Sequence, residues 1–382
     1  MRSISGKCTD VSRLRAIFAG GGTGGHLFPA IAIADEVRNI VPDAEILFVG
    51  TKDKLEARVV PQRGYDFRSI WISGFHRGLR VSNLLFPLKV VASIMQAKSI
   101  IRSFHPEVVV GTGGYVSGPV LRCAAALGIP TLIQEQNSHP GVTTRMLAGR
   151  VDEVHLAFDS SKQYLPGTAQ IFVSGNPTRS DLDNGVASEG LVYFGFLPTE
   201  EKRTLLIVGG SLGAHSINEA VTGILGILVN EGFRIIWQTG TADFHQVSDA
   251  ASGFTSRDIC VREFIDRMDL AYAACDLVIC RAGATTIAEL TRLGKPSILI
   301  PYPFAAANHQ LENARTLASA GAAEMISDQE ISARLVPVIR ELFDGNRLAE
   351  MSARSRKLGK PDAANVIARH VVELASGKGS GS

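Results

Sequence analysis

The sequence predicts an α/β protein made of two doubly wound parallel sheets, and three observations carry that expectation. Short apolar runs alternate with helix-patterned stretches along nearly the whole chain, which is how parallel strands joined by crossover helices read. The two halves open alike: "GGGTGGH" at residues 20–26 and "GGSLGAH" at residues 209–215 each follow an apolar run and precede a helical pattern. The chain has 382 residues, too many for one ordinary core and enough for two domains of about 150–200 residues each.

In chain order, "RAIFAG" leads into "FPAIAIADEVRNI" and then "AEILFVG". "EVVVGTGG", "GIPTLIQEQN" and "DEVHLAF" continue the first sheet. A loop rich in acids, glycine and proline follows "AQIFVSGNPTR", so the junction is expected near Gly175. The pattern then restarts with "RTLLIVGG", "RIIWQTG", "DICVREFI", "CDLVICRAG" and "KPSILIPY". The expected division is 1–174 for the first domain, 175–361 for the second, a helix at about 362–376 packing back on the first, and a flexible tail at 377–382, "GKGSGS".

Composition narrows the function classes. Hydrophobic residues make up 45% and charged residues 20%, as in a packed globular protein. A formal net charge of +2 gives no general argument for nucleic-acid binding, and no nucleic-acid motif is present. Five cysteines without a CxxC pair argue against a disulfide framework or a zinc finger and for a reducing compartment. The first apolar run is too short for a signal peptide, and no apolar stretch reaches the ~18 residues of a membrane-spanning helix.

The glycine turns point to phosphate. Gly20, Gly22 and Gly25 match GxGxxG, but the second strand ends in Gly50 and Thr51 without the ribose-binding acid of a dinucleotide fold. A nucleoside-triphosphatase loop is excluded because GK[ST] occurs nowhere. A second turn, "GTGGYVSGPV" at residues 111–120, follows another strand, so both turns are expected on one sheet edge. Backbone N–H groups at helix N-termini suit a diphosphate; two tight turns without a ligand is the plainer alternative. In "CRAGATTIAE", Glu289 falls early in a helix, where an acid either accepts ribose hydroxyls or simply complements the helix dipole.

With these residues in hand, the sequence resembles the MurG family of N-acetylglucosaminyltransferases. The matching pieces are "GGTGGHLFPAIAIA", "LFVGT", "GTGGYVSGP", "QEQNSHPG", "GNPTR", "IVGGSLGA", "EFIDRM" and "CRAGATTIAEL", in family order over residues 15–375. Gln134 stands where the family often carries histidine. The resemblance implies a GT-B fold, two Rossmann-like domains with parallel sheets facing across a cleft. It implies an inverting transfer of N-acetylglucosamine from UDP-N-acetylglucosamine to the muramyl 4-hydroxyl of lipid I, giving lipid II for peptidoglycan at the cytoplasmic face of the cell (inner) membrane. Another GT-B enzyme, such as an epimerase, or a non-catalytic nucleotide-sugar binder is the alternative.

Site residues follow from the same resemblance. Thr23, Gly24 and Gly25 match the loop that approaches the donor diphosphate. Asn137 and Arg179 match donor-site positions, and Ser211 a phosphate-contacting hydroxyl. Ile265 matches the position whose backbone reads uracil. Ala284, Thr285, Thr286, Ile287, Ala288 and Glu289 match a helix start on phosphate and ribose, with Glu289 on the ribose. Gln310 matches a reader of the sugar hydroxyls. His26 is the expected base on the acceptor hydroxyl, since histidine ordinarily titrates near neutrality; orienting the loop or the diphosphate is its other possible role. His215, at the equivalent place in the second turn, is taken as incidental. No cofactor or protein metal site is expected: the DxD at Asp181–Leu182–Asp183 lies in the interdomain connection, not after a donor-site strand.

The acceptor's lipid chain calls for a membrane surface. Residues 67–106 contain no Asp or Glu but hold Arg68, Arg77, Arg80, Lys89, Lys98 and Arg102 among apolar residues, a composition suited to anionic lipid. Val90, Val91, Ile94, Met95 and Ile101 fall near one helical face, expected to be partly core, with "GLRVSNLLFPLK" exposed.

Overall fold

A computed structural model describes residues 14–74, 86–167, 170–210, 213–255, 257–305 and 308–377. Two compact units emerge. The first takes residues up to Gln136, Pro140–Pro177 and Asp362–Ser382; the second takes Asn137–His139 and Thr178–Pro361.

The first unit runs β1 (Arg15–Ala19), α1 (Gly24–Ile40), β2 (Glu45–Gly50), α2 (Leu55–Gln62), β3 (Asp66–Ser69), α3 (Phe86–Phe104), β4 (Val108–Gly111), α4 (Gly114–Ala126), β5 (Thr131–Glu135), α5 (Val142–Leu147), β6 (Glu153–Leu156) and β7 (Ile171–Phe172). The second runs α6 (Ala187–Tyr193), β8 (Arg203–Val208), α7 (His215–Asn230), β9 (Phe233–Gln238), α8 (Phe244–Ala251), β10 (Ile259–Arg262), α9 (Met268–Ala274), β11 (Leu277–Cys280), α10 (Ala284–Leu293), β12 (Ser297–Leu299), α11 (His309–Ser319), β13 (Glu324–Met325), α12 (Ile331–Leu342) and α13 (Arg347–Leu358). The last helix, α14 (Ala363–Ala375), belongs to the first unit.

Both sheets are parallel, as the alternating pattern predicts. Their orders are β3-β2-β1-β4-β5-β6-β7 and β10-β9-β8-β11-β12-β13. Each reverses direction beside its first strand, between β1 and β4 in one and β8 and β11 in the other. Ligands of doubly wound sheets bind beyond the C-terminal strand ends at such switch points. The chain places its glycine turns there in both units.

Helices on both faces explain the nearly continuous apolar strands. On β1, Ala16 and Phe18 face one core cluster while Ile17 and Ala19 face the other. On β8, Leu205 and Ile207 face one cluster and Leu206 and Val208 the opposite one. α14 adds Ile367, Ala368, Val371 and Leu374 to the cluster that holds Phe18. Burial of each large aliphatic side chain contributes about 1.5–3 kcal/mol, so the helix is an integral part of the first unit.

One local expectation needs correction. α3 turns Ser93, Ala97, Ile100, Ile101 and Phe104 inward. Val91 and Met95 are not on that face; they are 56% and 68% exposed, in line with Leu88 at 56%. The small residues Ser93 and Ala97 let the helix lie close to its neighbours, which rotates the bulkier Val91 and Met95 outward. Residues 78–85 of the basic stretch, including Arg80, lie outside the described residues, as does Arg77.

Candidate functional site

In the first unit the site is built where β1, β4 and β5 end. Thr23 precedes α1 in extended conformation and its carbonyl accepts the His26 and Leu27 amides. Gly24 and Gly25 open the helix, where first-turn N–H groups lack intrahelical partners. His26 sits in the same turn. Its Nδ1 lies 3.0 Å from the Thr112 carbonyl and 3.0 Å from Gln136 Oε1.

Those partners fix the imidazole tautomer. A carbonyl only accepts, so Nδ1 carries a proton and donates it, and in the neutral ring the lone pair falls on Nε2. The Gln136 amide is oriented by donation from its Nε2 to Thr112 O, 2.7 Å away, and to Gln134 Oε1. Thr112 Oγ1 donates back to the His26 carbonyl at 2.7 Å. The two glycine turns meet because they lack side chains. A Cβ on Gly113, at φ 98°, would stand 2.7 Å from His26 Nδ1, and one on Gly114, at φ 77°, 2.5 Å from the Gly21 carbonyl.

Glu56, from α2, holds the first turn from below. Its buried carboxylate accepts the Gly22 amide at 3.0 Å and both the amide and hydroxyl of Thr51, at 3.0 and 2.7 Å. The Gly22 N–H is thereby occupied, and anion-binding capacity shifts to the following amides at the start of α1.

In the second unit the corresponding edge is formed by the ends of β8, β9 and β11. Residues 284–289 make the first turn and a half of α10, capped by Gly283. Thr285 Oγ1 is buried without a hydrogen-bond partner among the described residues, in the first turn of a helix, where an anion is favoured. Glu289 accepts the Tyr272 hydroxyl on Oε2 at 2.8 Å. Burial pushes its carboxyl above the ordinary range, opposed by the Tyr272 hydrogen bond and the positive charge of Arg179. Burial, then the Glu289 charge, pushes the Tyr272 hydroxyl well above its own ordinary value, so Tyr272 remains a donor.

Ile265 is buried, and its amide donates to Gln238 Oε1 at 2.8 Å. Gln238 also donates to the Gly210 carbonyl at 3.0 Å, joining the β8 turn to the Ile265 loop. Gln310, in the first turn of α11, accepts the Tyr302 amide at 3.0 Å through Oε1. Arg179 pairs with Asp181 at 3.5 Å. Asp183 receives the Arg292 guanidinium, with Nε 3.1 Å from both carboxylate oxygens. The DxD carboxylates are thus engaged by arginines.

The structure gathers Thr23, Gly24, Gly25 and His26 at the first unit's switch point, and residues 284–289 with Arg179 in the second unit. Asn137 lies two residues past the end of β5 and groups with the second unit. Ser211 lies outside the described residues. Sequence reasoning missed Glu56, Gln136, Gln238 and Tyr272. Gln136 stood inside the quoted "QEQN"; the others carried no local signal.

Two parallel sheets with glycine turns and helix starts at their switch points are the arrangement of a nucleotide-binding protein, and the comparisons narrow the class to glycosyltransferases. Residues 16–156 match the model of the glycosyltransferase family 28 N-terminal domain, and residues 204–367 that of its C-terminal domain. A relative from Christiangramia forsetii is 43% identical over 368 residues, covering 96% of this chain and 99% of that protein. One from Chlorobium luteolum is 45% identical, covering 95% and 99%. Both are named UDP-N-acetylglucosamine–N-acetylmuramyl-(pentapeptide) pyrophosphoryl-undecaprenol N-acetylglucosamine transferase. The crystal structure of Acinetobacter baumannii MurG is similar at a TM-score of 0.72 and 28% identity, covering 94% of this chain and 99% of that one. The chain belongs to the MurG family of family 28 glycosyltransferases, with the GT-B fold.

Proposed function

We infer that this protein transfers N-acetylglucosamine from UDP-N-acetylglucosamine to the muramyl 4-hydroxyl of lipid I, releasing UDP and forming lipid II for peptidoglycan. The observation that carries this is the full-length similarity to transferases of that name at 43% and 45% identity. Inversion at the anomeric carbon requires a base on the acceptor and a stabilised leaving group. His26 supplies the base in this reading. Its Nε2 takes the proton of the 4-hydroxyl as that oxygen attacks C1, the C1–O bond to the β-phosphate breaks, and UDP leaves with the electron pair. The imidazolium that forms is stabilised by the two oxygens that already accept its Nδ1–H.

The donor falls to the second unit. The start of α10 and Thr285 Oγ1 receive the diphosphate, whose negative charge grows as the bond breaks. Glu289, with Oε2 already accepting from Tyr272, has Oε1 to accept a ribose hydroxyl. The Ile265 amide is taken by Gln238, so the uracil is read through the Ile265 carbonyl. Gln310 has its Nε2 available to the sugar, and in the first unit Thr23, Gly24 and Gly25 present helix-start amides suited to a phosphate. Asn137, Arg179 and Ser211 complete the donor set.

The membrane reading rests on α3. Leu88, Val91 and Met95 are exposed, and Lys98 and Arg102 continue the same stripe at helical spacing. Trp71 is exposed beside them, with Lys89 Nζ 5.8 Å from its ring centre. No described helix is long and apolar enough to cross a membrane. An apolar stripe ending in cations suits peripheral binding to anionic lipid.

The deciding experiment mixes the protein with UDP-N-acetylglucosamine and a lipid I analogue. UDP release that depends on the analogue is expected; release indifferent to it, or none, contradicts the transferase reading.

A further inference from the structure

A second polar cluster lies in the first unit, on residues the transfer reaction does not use. Glu153 and His155 are two apart on β6, so their side chains share a face, while Val154 and Leu156 enter the opposite core cluster. His370 reaches the same point from α14. His155 Nε2 lies 3.0 Å from Glu153 Oε2, and His370 Nδ1 lies 2.9 Å from that same oxygen. All three ligand-capable atoms fall within 4.8 Å of one another. The Phe172 ring, on β7, stacks on His155 at 5.0 Å and tilts against His370 at 4.5 Å, walling the cluster with apolar surface.

The electrostatics need explaining. The Glu153 side chain is 3% exposed and His155 0%. Among the described residues no lysine or arginine pairs with Glu153; its partners are the two imidazoles. A buried carboxylate whose described partners are two imidazoles and no fixed cation is a place where a bound cation would be stabilised.

We propose that Glu153, His155 and His370 form a binding site for a divalent transition metal of the zinc class, fastening α14 to β6 of the first sheet. Two imidazole nitrogens and one carboxylate oxygen are a zinc donor set, and nitrogen donors select against magnesium and calcium. Tetrahedral ligands about 2.0–2.1 Å from zinc stand roughly 3.3 Å apart. The 3.0 and 2.9 Å separations are within a few tenths of an ångström of that, and the two imidazole nitrogens, within 4.8 Å of each other, would draw together on the ion by a small turn of the partly exposed His370 side chain. His155 Nδ1 lies 2.7 Å from Ser174 Oγ, the kind of outer contact that orients a metal-bound histidine. The His370 side chain is 23% exposed and gives the ion a way in. Glu153 and His370 are 217 positions apart, so the metal would close most of the chain into one loop.

The test uses the full, tag-free chain stripped with a chelator. Zinc is titrated against a chromophoric competitor, and Co2+ is added separately to read coordination from its visible absorption. One saturable equivalent is expected, with a four- or five-coordinate Co2+ spectrum. The melting midpoint should rise, since free zinc at 100 times Kd favours the folded state by about 100-fold. His370→Ala, at a partly exposed helix position, should fold yet lose the equivalent, the spectrum and the shift; Glu153→Gln should weaken all three. His215→Ala should keep them. Absence of a saturable equivalent in the wild-type chain, or the same equivalent in His370→Ala, would overturn the proposal.

Discussion

The two glycine turns, "GGGTGGH" and "GGSLGAH", begin as near copies and end in different chemistry. In the first, His26 meets two neutral oxygens, the Thr112 carbonyl and Gln136 Oε1. They hold one tautomer and leave Nε2 available. In the second, His215 meets a carboxylate: its Nδ1 lies 2.9 Å from Asp243 Oδ1, and the side chain is largely exposed. The hydrogen bond to Asp243, then its charge, raises the His215 pKa above the ordinary value. A motif places a histidine at a helix start; the partners brought by other strands decide whether it holds a proton or accepts one.

Breaking the first turn should have the largest effect. His26→Ala is expected to lower kcat by at least ~100-fold with UDP binding retained, measured by acceptor-dependent UDP release and by UDP titration. Glu289→Gln should act on the donor instead. Losing a charged acceptor costs about 1.5–3 kcal/mol, so the donor KM should rise roughly 10- to 100-fold while kcat changes less. Gln136→Leu removes one of the two oxygens at His26 but leaves the Thr112 carbonyl. A loss of several-fold in kcat is expected, with a donor KM near wild type.

The second turn should tolerate change. His215→Ala is expected to leave kcat within about two-fold. Its effect on stability has a definite sign: a histidine with a raised folded-state pKa stabilises below its unfolded pKa, and that contribution is lost as pH rises through the folded value. The wild-type advantage in melting midpoint should therefore appear in acid, vanish in alkali, and stay small because the pair is exposed.

Much of this was legible in the sequence because strands buried on both faces leave continuous apolar runs, and turns at strand ends need glycine. "RAIFAG" and "RTLLIVGG" therefore announced the two central strands. The partners of the site were not legible. Glu56 reads as an ordinary helix acid in "KLEARVV", yet it reaches back to Gly22. Tyr272 looks like a core aromatic until Glu289 is folded against it. On α3 the apolar residues read as one face, and only packing showed that Ser93 and Ala97 turn inward while Val91 and Met95 face out. Glu153 and His370 lie on a strand and a helix that only the return of α14 brings together.

Division of labour between the His26 turn and the start of α10 is tested most directly by measuring UDP-N-acetylglucosamine affinity and single-turnover transfer to a lipid I analogue in His26→Ala and Glu289→Gln side by side. The expected result is near-normal donor affinity with transfer slowed ~100-fold or more in His26→Ala, and weakened donor affinity with largely preserved transfer at saturation in Glu289→Gln. Transfer at the wild-type rate in His26→Ala would contradict it.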